Sequence, residues 1–340
     1  MGLTRRRFIA SAGVLAACGL ARRAPGSVGQ PSADTSRHFE WIEVRPGVHA
    51  AIGEGGNALL CVRAGRSALV DCKLAAFGIT LRREAEAFGS PVRAVFNTHH
   101  HADHSGGNHA FTADLPVIAH ANAAPRVESQ FERYTQGIAQ AAAQIAQSDR
   151  AGGTVRGEVA ALAERAAQLT PASFIPRQLV GDSATFDLGG ERFDLHHFGP
   201  GHTDNDLVIH LPGTNVLHPG DLLFHRRHPF IDRAAGATTL GWIAALEKAA
   251  ALCDASTVVI PGHGAVTDVS GLRRQAEYFH RVREAVGKVV AAGGSADEAA
   301  AIDLPVFEGY EFAQSRERAL RAVFEELSAP AATADPAGVR

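Results

Sequence analysis

Cysteine is scarce in this chain: four in 340 residues, with no Cys-x-x-Cys pair among them. That excludes a thiolate zinc site. It also excludes a disulfide framework, because setting Cys18 aside leaves the odd set Cys61, Cys72 and Cys253. Cys61 and Cys72 sit in apolar runs and read as small buried hydrophobes. Long apolar stretches are missing too, and the one near the N-terminus, Phe8 to Ala17, is too short to span a bilayer. There is no Gly-x-Ser-x-Gly elbow, hence no sign of a serine nucleophile of that kind. Positive charge is in short supply. The formal net charge is −3, and removal of residues 1–17 would take away Arg5, Arg6 and Arg7 without any acid. That balance argues against a nucleic-acid partner, which usually needs a basic face. No short-period repeat is visible.

The composition is otherwise that of a globular protein, 46% apolar and 20% charged, with enough chain for a sizeable core. Residues 1–18 read as an export signal. Thr4-Arg5-Arg6-Arg7-Phe8-Ile9-Ala10 resembles a twin-arginine motif, and Leu15-Ala16-Ala17-Cys18 resembles a lipobox. The lipobox would make Cys18 a lipidated first residue and give an exported, periplasmic protein peripheral attachment to a membrane. An ordinary cleaved signal, with Cys18 incidental, is the plainer alternative. Residues 19–37, rich in Ala, Arg, Gly, Pro and Ser, read as a linker, and 329–340 as a disordered tail.

Between them, short apolar runs separated by turn residues predict strands in two sets. The first set is 40–44, 48–52, 57–62, 67–70, 92–96 and 116–119; the second is 185–188, 192–198, 206–211, 215–217 and 257–260. Helical spacing marks 77–88, 238–252, 272–291, 296–301 and 312–327. The stretch 121–169, dense in Ala, Gln, Glu and Arg, predicts an insertion of two helices, 121–148 and 155–168, broken at Gly152-Gly153. Its Gln136, Gln140 and Gln144 recur every four residues, as a solvated helix face would. Two runs of strands with accompanying helices suggest an α/β protein with two sheets packed face to face and helices outside.

The most informative stretch is His99-His100-His101-Ala102-Asp103-His104. It follows a strand and precedes the turn Ser105-Gly106-Gly107-Asn108, so it is poor core material and good ligand material for a zinc-like cation. His99 and His101, two apart on an extended segment, point to one side, and His100 points away. Three later strand ends each deliver another donor: Gly201-His202, Gly220-Asp221 and Gly262-His263-Gly264. Two cations with three or four ligands each, one ligand shared, would use all seven.

This series, His99-x-His101-x-Asp103-His104 followed by His202, Asp221 and His263, resembles the metallo-β-lactamase-fold superfamily, with all its metal motifs in order over roughly residues 40–290. The resemblance implies a four-layer αββα sandwich, here a catalytic domain at 38–290 with a C-terminal helical extension at 291–328. It implies two Zn²⁺, one on His99, His101 and His202 and one on Asp103, His104 and His263, with Asp221 bridging. A metal-bridging hydroxide, oriented by Asp103 as the catalytic carboxylate, would attack an ester, thioester, lactone or β-lactam carbonyl of a small-molecule substrate. The bridging Asp is similar to the glyoxalase-II-like branch; dedicated lactamases of the superfamily have Cys or Ser there. Iron-dependent oxidoreductases share the fold, but the di-iron ones have Glu where this chain has His101. A non-enzymatic periplasmic accessory metalloprotein is the remaining alternative.

Around that set, Asp71 at a strand end is a candidate to hydrogen-bond a ligating His, against a plain strand-end turn. His225, and less so His228, are candidates to line the pocket or supply an acid for the leaving group, His225 also to back a ligand, against surface loop positions. Asn57, after Gly55-Gly56, resembles a recurrent superfamily Asn before a core strand, but is read here as turn chemistry.

Overall fold

The computed structural model describes residues 37–148 and 151–329. The expected export signal with Cys18, the linker up to residue 36 and the tail from residue 330 lie outside the described residues.

The chain enters on β1 (Glu40–Arg45), β2 (Val48–Ile52), β3 (Ala58–Arg63) and β4 (Arg66–Val70), an antiparallel meander. A 3₁₀ turn (Ala75–Phe77) and helix α1 (Gly78–Glu86) then carry it to β5 (Val92–Phe96), parallel to β4. Helix α2 (Ala102–Ser105) and a 3₁₀ turn follow, then β6 (Val117–His120). Next come α3 (Ala123–Ser129), α4 (Phe131–Ala146) and α5 (Gly153–Glu164), and β7 (Gln178–Val180) closes a seven-stranded sheet in the order β1 to β7.

The second sheet has five strands: β8 (Ser183–Leu188), β9 (Glu191–His196), β10 (Val208–Leu211), β11 (Val216–His218) and β12 (Val258–Val259). All pairs are antiparallel except β11 with β12. Helix α6 (Thr239–Ala251) lies between those last two strands in sequence. Helices α7 (Val269–Ala291), α8 (Ala296–Ala300) and α9 (Ala313–Ser328) end the described chain. No helix among the described residues is long and apolar enough to cross a membrane.

Two-residue alternation explains the layering. Leu59, Cys61, Ala68, Val70, Ala94 and Phe96 point into the core shared with Phe193, Leu195, Ile209 and Val216 of the second sheet. Their neighbours Leu60, Leu69 and Val95 point the other way, onto Leu81, Ile145 and Val159 of the helices. The second sheet likewise turns Val208, Leu217 and Val259 outward onto Trp242, Leu272 and Phe279. The result is helix, sheet, sheet, helix. In α7 the outward sheet is met by Leu272, Ala276, Phe279, Val282 and Val286, one stripe at helical spacing. This is the four-layer α/β architecture expected from the sequence.

Two features differ from expectation. The first inserted helix is two helices, α3 and α4, parted at Gln130; no Gly or Pro marks the break, so the periodicity runs through it. Strand β7 has no counterpart in the reading, because it is three residues long and two of them, Gln178 and Leu179, are exposed.

Candidate metal centre

Strand ends build this site. The parallel strands β4 and β5 deliver Asp71 and the loop that starts at Asn97. His99 and His101 lie on the extended part of that loop, and α2 then turns Asp103 and His104 inward. From the second sheet, the connection after β9 supplies His202, the turn Gly220–Leu222 after β11 supplies Asp221, and the loop after β12 supplies His263.

These donors converge in two groups. His99 Nε2 is 3.1 Å from His101 Nδ1, which is 2.9 Å from His202 Nε2. His263 Nε2 is 3.2 Å and His104 Nε2 3.7 Å from Asp103 Oδ2. Asp221 touches both: Oδ1 lies 3.0 Å from His104 Nε2, and Oδ2 lies 3.4, 3.5 and 3.8 Å from the Nε2 atoms of His263, His202 and His99. All seven side chains named from the sequence are therefore brought together, and His100 is turned out to pair with Asn205 at 3.0 Å.

The outer nitrogens decide what belongs between them. His101 Nε2 donates to Asp232 Oδ2 at 2.9 Å, and His202 Nδ1 donates to the carbonyl of Phe230 at 3.0 Å. Thr98 Oγ1 donates to Asp71 Oδ2 at 2.8 Å and so accepts from His99 Nδ1 at 3.0 Å. Each ring thereby keeps its proton outside and turns a lone pair inward, and three lone pairs face one another near 3 Å. His104 is held from outside in the same way: its Nδ1 is 2.7 Å from Asp71 Oδ2, and its Nε2 lies 3.0 Å from Asp221 Oδ1. That Nε2 and Asp221 Oδ1 are both buried without a hydrogen-bond partner. Converging lone pairs and carboxylates of this kind fit divalent cations, with the outer acceptors fixing the imidazoles.

The charge states divide the two groups. Burial first, then neighbouring imidazoles, push His99 well below its ordinary range and His202 to about 3, so both rings are neutral. Burial would also lower His104 and His263, but the Asp221 and Asp103 carboxylates outweigh it and raise His104 well above its ordinary range and His263 to about 9. Against their own burial, Asp103 and Asp221 are held below the carboxylate range, by His104 and His263. A cation entering the carboxylate-rich half would therefore displace protons.

Other residues hold the donors in place. Asp71 also accepts from the Thr98 N–H at 2.7 Å, in a left-handed backbone conformation (φ 63°). Asn57, read from sequence as turn chemistry, instead crosses to the second sheet: its amide donates to the carbonyls of Pro261 and Gly264 at 2.9 and 2.8 Å, clasping the His263 loop. His225 is not on the cleft; its ring meets the Ala265 carbonyl and its N–H donates to the His263 carbonyl. His228 is buried against Tyr278. Two backbones pass very close: a Cβ on Gly56 would meet His104 Nε2 at 2.3 Å, and one on Gly262 would meet Asp221 Oδ1 at 2.0 Å.

The sequence reading missed Asp232, Phe230, Tyr134, Arg133 and Arg318. Tyr134 of α4 reaches Ser105 Oγ at 3.0 Å and the His100 carbonyl at 3.1 Å, so the insertion braces the donor loop from behind. Arg133 and Arg318, with Phe230 and Phe312, line a cleft of about 340 Å³ above Asp103, Asp221 and His263. One signal for Asp232 existed: ligating imidazoles usually have a carboxylate or carbonyl behind them, though sequence spacing does not say which.

Comparisons with known proteins agree with this geometry. The chain is 30% identical over 90 residues to a metallo-beta-lactamase type 2 of Bacteroides fragilis, covering 26% of this chain and 36% of that protein. It is 37% identical over 123 residues to an uncharacterised protein of Mycobacterium bovis, covering 33% of this chain and 54% of that one. The chain thus spans about a third to a half of the curated relatives it matches. Its fold is similar to that of a metallo-beta-lactamase from Pontibacter korlensis, with a TM-score of 0.53 and 19% identity over 71% of this chain and 99% of that one. The family model described as Metallo-beta-lactamase superfamily matches residues 51–263, which carry every one of the seven converging donors, and the chain belongs to that superfamily.

Proposed function

We propose that this protein is a zinc-dependent hydrolase with two Zn²⁺ per chain, acting on an ester, thioester, lactone or β-lactam carbonyl. The observation that carries this reading is the set of inward lone pairs: His99, His101 and His202 would hold one cation, Asp103, His104 and His263 the other, and Asp221 would join them. Bound in this way, divalent cations lower the pKa of water toward ~7, from 15.7 in bulk, and polarise a carbonyl oxygen.

The chain's own residues do the rest. Asp103 is the most open member of the set, with 30% of its side chain exposed to the cleft, and its carboxylate orients the attacking water. Asp71, Asp232 and the Phe230 carbonyl keep the imidazoles in the ligating tautomer. Phe230 and Phe312 exclude bulk water from one side of the cleft, while Arg133 and Arg318 orient a polar substrate at its mouth. Asp221, at a position where the superfamily resemblance puts Cys or Ser in dedicated lactamases, favours an ester- or thioester-type substrate with β-lactam hydrolysis as a side activity. The Arg5-Arg6-Arg7 leader and Cys18 support export and lipid attachment.

The test is metal quantification on protein purified without added zinc, run beside a panel of esters, thioesters, lactones and β-lactams. Two zinc per chain and turnover of at least one class are expected. Iron with oxygen consumption, or a loaded protein that hydrolyses nothing in the panel, would overturn the proposal.

A further inference from the structure

A second cavity, of about 550 Å³, runs along α4 and opens into the cleft above the donors: Ala102, Asp103 and Arg133 belong to both. One wall is the glutamine ladder Gln136, Gln140 and Gln144; the other is Leu74, Ala75 and Phe77. A solvated face would account for the glutamines alone. It accounts neither for the continuity with the cleft nor for Gly137, which sits between them in the helix interior. Glycine there costs about 1 kcal/mol relative to alanine. Packing does not require it, since an added Cβ would meet nothing within 4 Å. What Gly137 does is leave the groove floor open.

We propose that this groove is a second substrate subsite, taking an elongated, uncharged, amide-bearing arm of the molecule whose carbonyl is cleaved. The proposal rests on the hydrolase reading above. Gln136 to Gln144 spans about 12 Å at 1.5 Å per residue, room for roughly three or four extended residues of a peptide-like chain. A primary amide both donates and accepts, which matches amide groups along such an arm. The three side chains have no hydrogen-bond partner among the described residues, so they are available to it. The opposing apolar wall fits the arm's hydrocarbon edge. Glu54, the other carboxylate on the groove besides Asp103, lies 3.3 Å from His38 Nε2. Arg133, at the junction, is placed to meet the arm's first carbonyl.

Two chromogenic esters with one leaving group test this, one with an acetyl group and one whose acyl chain carries three amide units. Gly137→Phe fills the floor and is expected to lower the long-to-short ratio of kcat/KM at least tenfold. The Gln136→Leu/Gln140→Leu double variant keeps good helix formers and is expected to lower it at least threefold. An unchanged ratio in both, with thermal unfolding showing both folded, overturns the subsite. If the wild type hydrolyses neither ester, the ratio cannot be read, and the hydrolase reading is judged on the wider panel above. Calorimetry with the long acyl chain as its free acid then reads the groove. Binding weakened at least tenfold by Gly137→Phe upholds it, whereas equal binding, or none to the wild type, overturns it.

Discussion

Asp71→Asn is the sharpest perturbation available, because it changes one atom and leaves the shape. In the wild type, Asp71 Oδ1 accepts from the Thr98 N–H at 2.7 Å, and Oδ2 accepts from Thr98 Oγ1 at 2.8 Å and is 2.7 Å from His104 Nδ1. An amide has one acceptor oxygen for these donors. If its NH₂ faces His104, the ring must move its proton to Nε2 and stops being a ligand. If the NH₂ faces Thr98, the backbone N–H loses its partner in a fully buried position. Removing an outer partner of a ligating histidine typically weakens metal binding 10–100-fold, about 1.4–2.8 kcal/mol. We therefore predict that one zinc equivalent loses 10–100-fold in affinity in competition with a chromophoric chelator. The second equivalent loses less, through Thr98, whose hydroxyl also meets His99 Nδ1. Both equivalents holding within twofold of wild type would refute the reasoning from outer nitrogens. Thermal unfolding of the metal-free variant separates an effect on binding from an effect on folding.

Further outcomes follow from the same geometry. Asp221→Ala, which removes the carboxylate shared by both groups, should lower zinc content below two per chain and activity at least 100-fold; retention of both would show that Asp221 joins nothing. In metal-free protein, burial lowers His263 but Asp221 and Asp103 more than compensate, raising it from 6.5 to about 9. A raised folded-state value stabilises below pH 6.5 and is lost as pH climbs through about 9, so the Tm of metal-free protein should fall over that window. The zinc-loaded form should not follow it, and a flat or rising Tm without metal would contradict the charge assignment. Cys18→Ser should move the protein from the membrane to the soluble fraction of its native host; unchanged fractionation removes lipid attachment.

Much of this was legible because strand ends and ligand types coincide. Alternation in β3, β4 and β5 sorts Leu59 from Leu60 and Ala68 from Leu69, and that suffices for two layers of sheet. His99, His101, Asp103 and His104 are local to one loop, and His202, Asp221 and His263 each follow an apolar run. What escaped is contact across long separations in irregular chain. Asn57 meets Pro261 and Gly264 from 204 and 207 positions away, and Asp232 meets His101 from 131. Neither pair lies on regular elements with a period to read. Local propensity made Asn57 a turn residue, whereas its side chain is committed to the other sheet. His225 was legible only through its proximity to Asp221 in sequence; its N–H donates to the His263 carbonyl and its ring meets the Ala265 carbonyl, so it contacts the ligand loop through backbone.

Gly56 and Gly262 set a boundary on how such a centre can be altered. Main chain, not side chain, walls the atoms His104 Nε2 and Asp221 Oδ1 on these two sides. A wall of side chains can be trimmed or thickened one methyl at a time; a wall of main chain cannot. Adding even a methyl group at either position would collide with a donor. The internal dimensions of the centre are thus nearly frozen, and a shift in ion preference is more accessible by exchanging a donor, at His101 or Asp221, than by resizing the chamber around it.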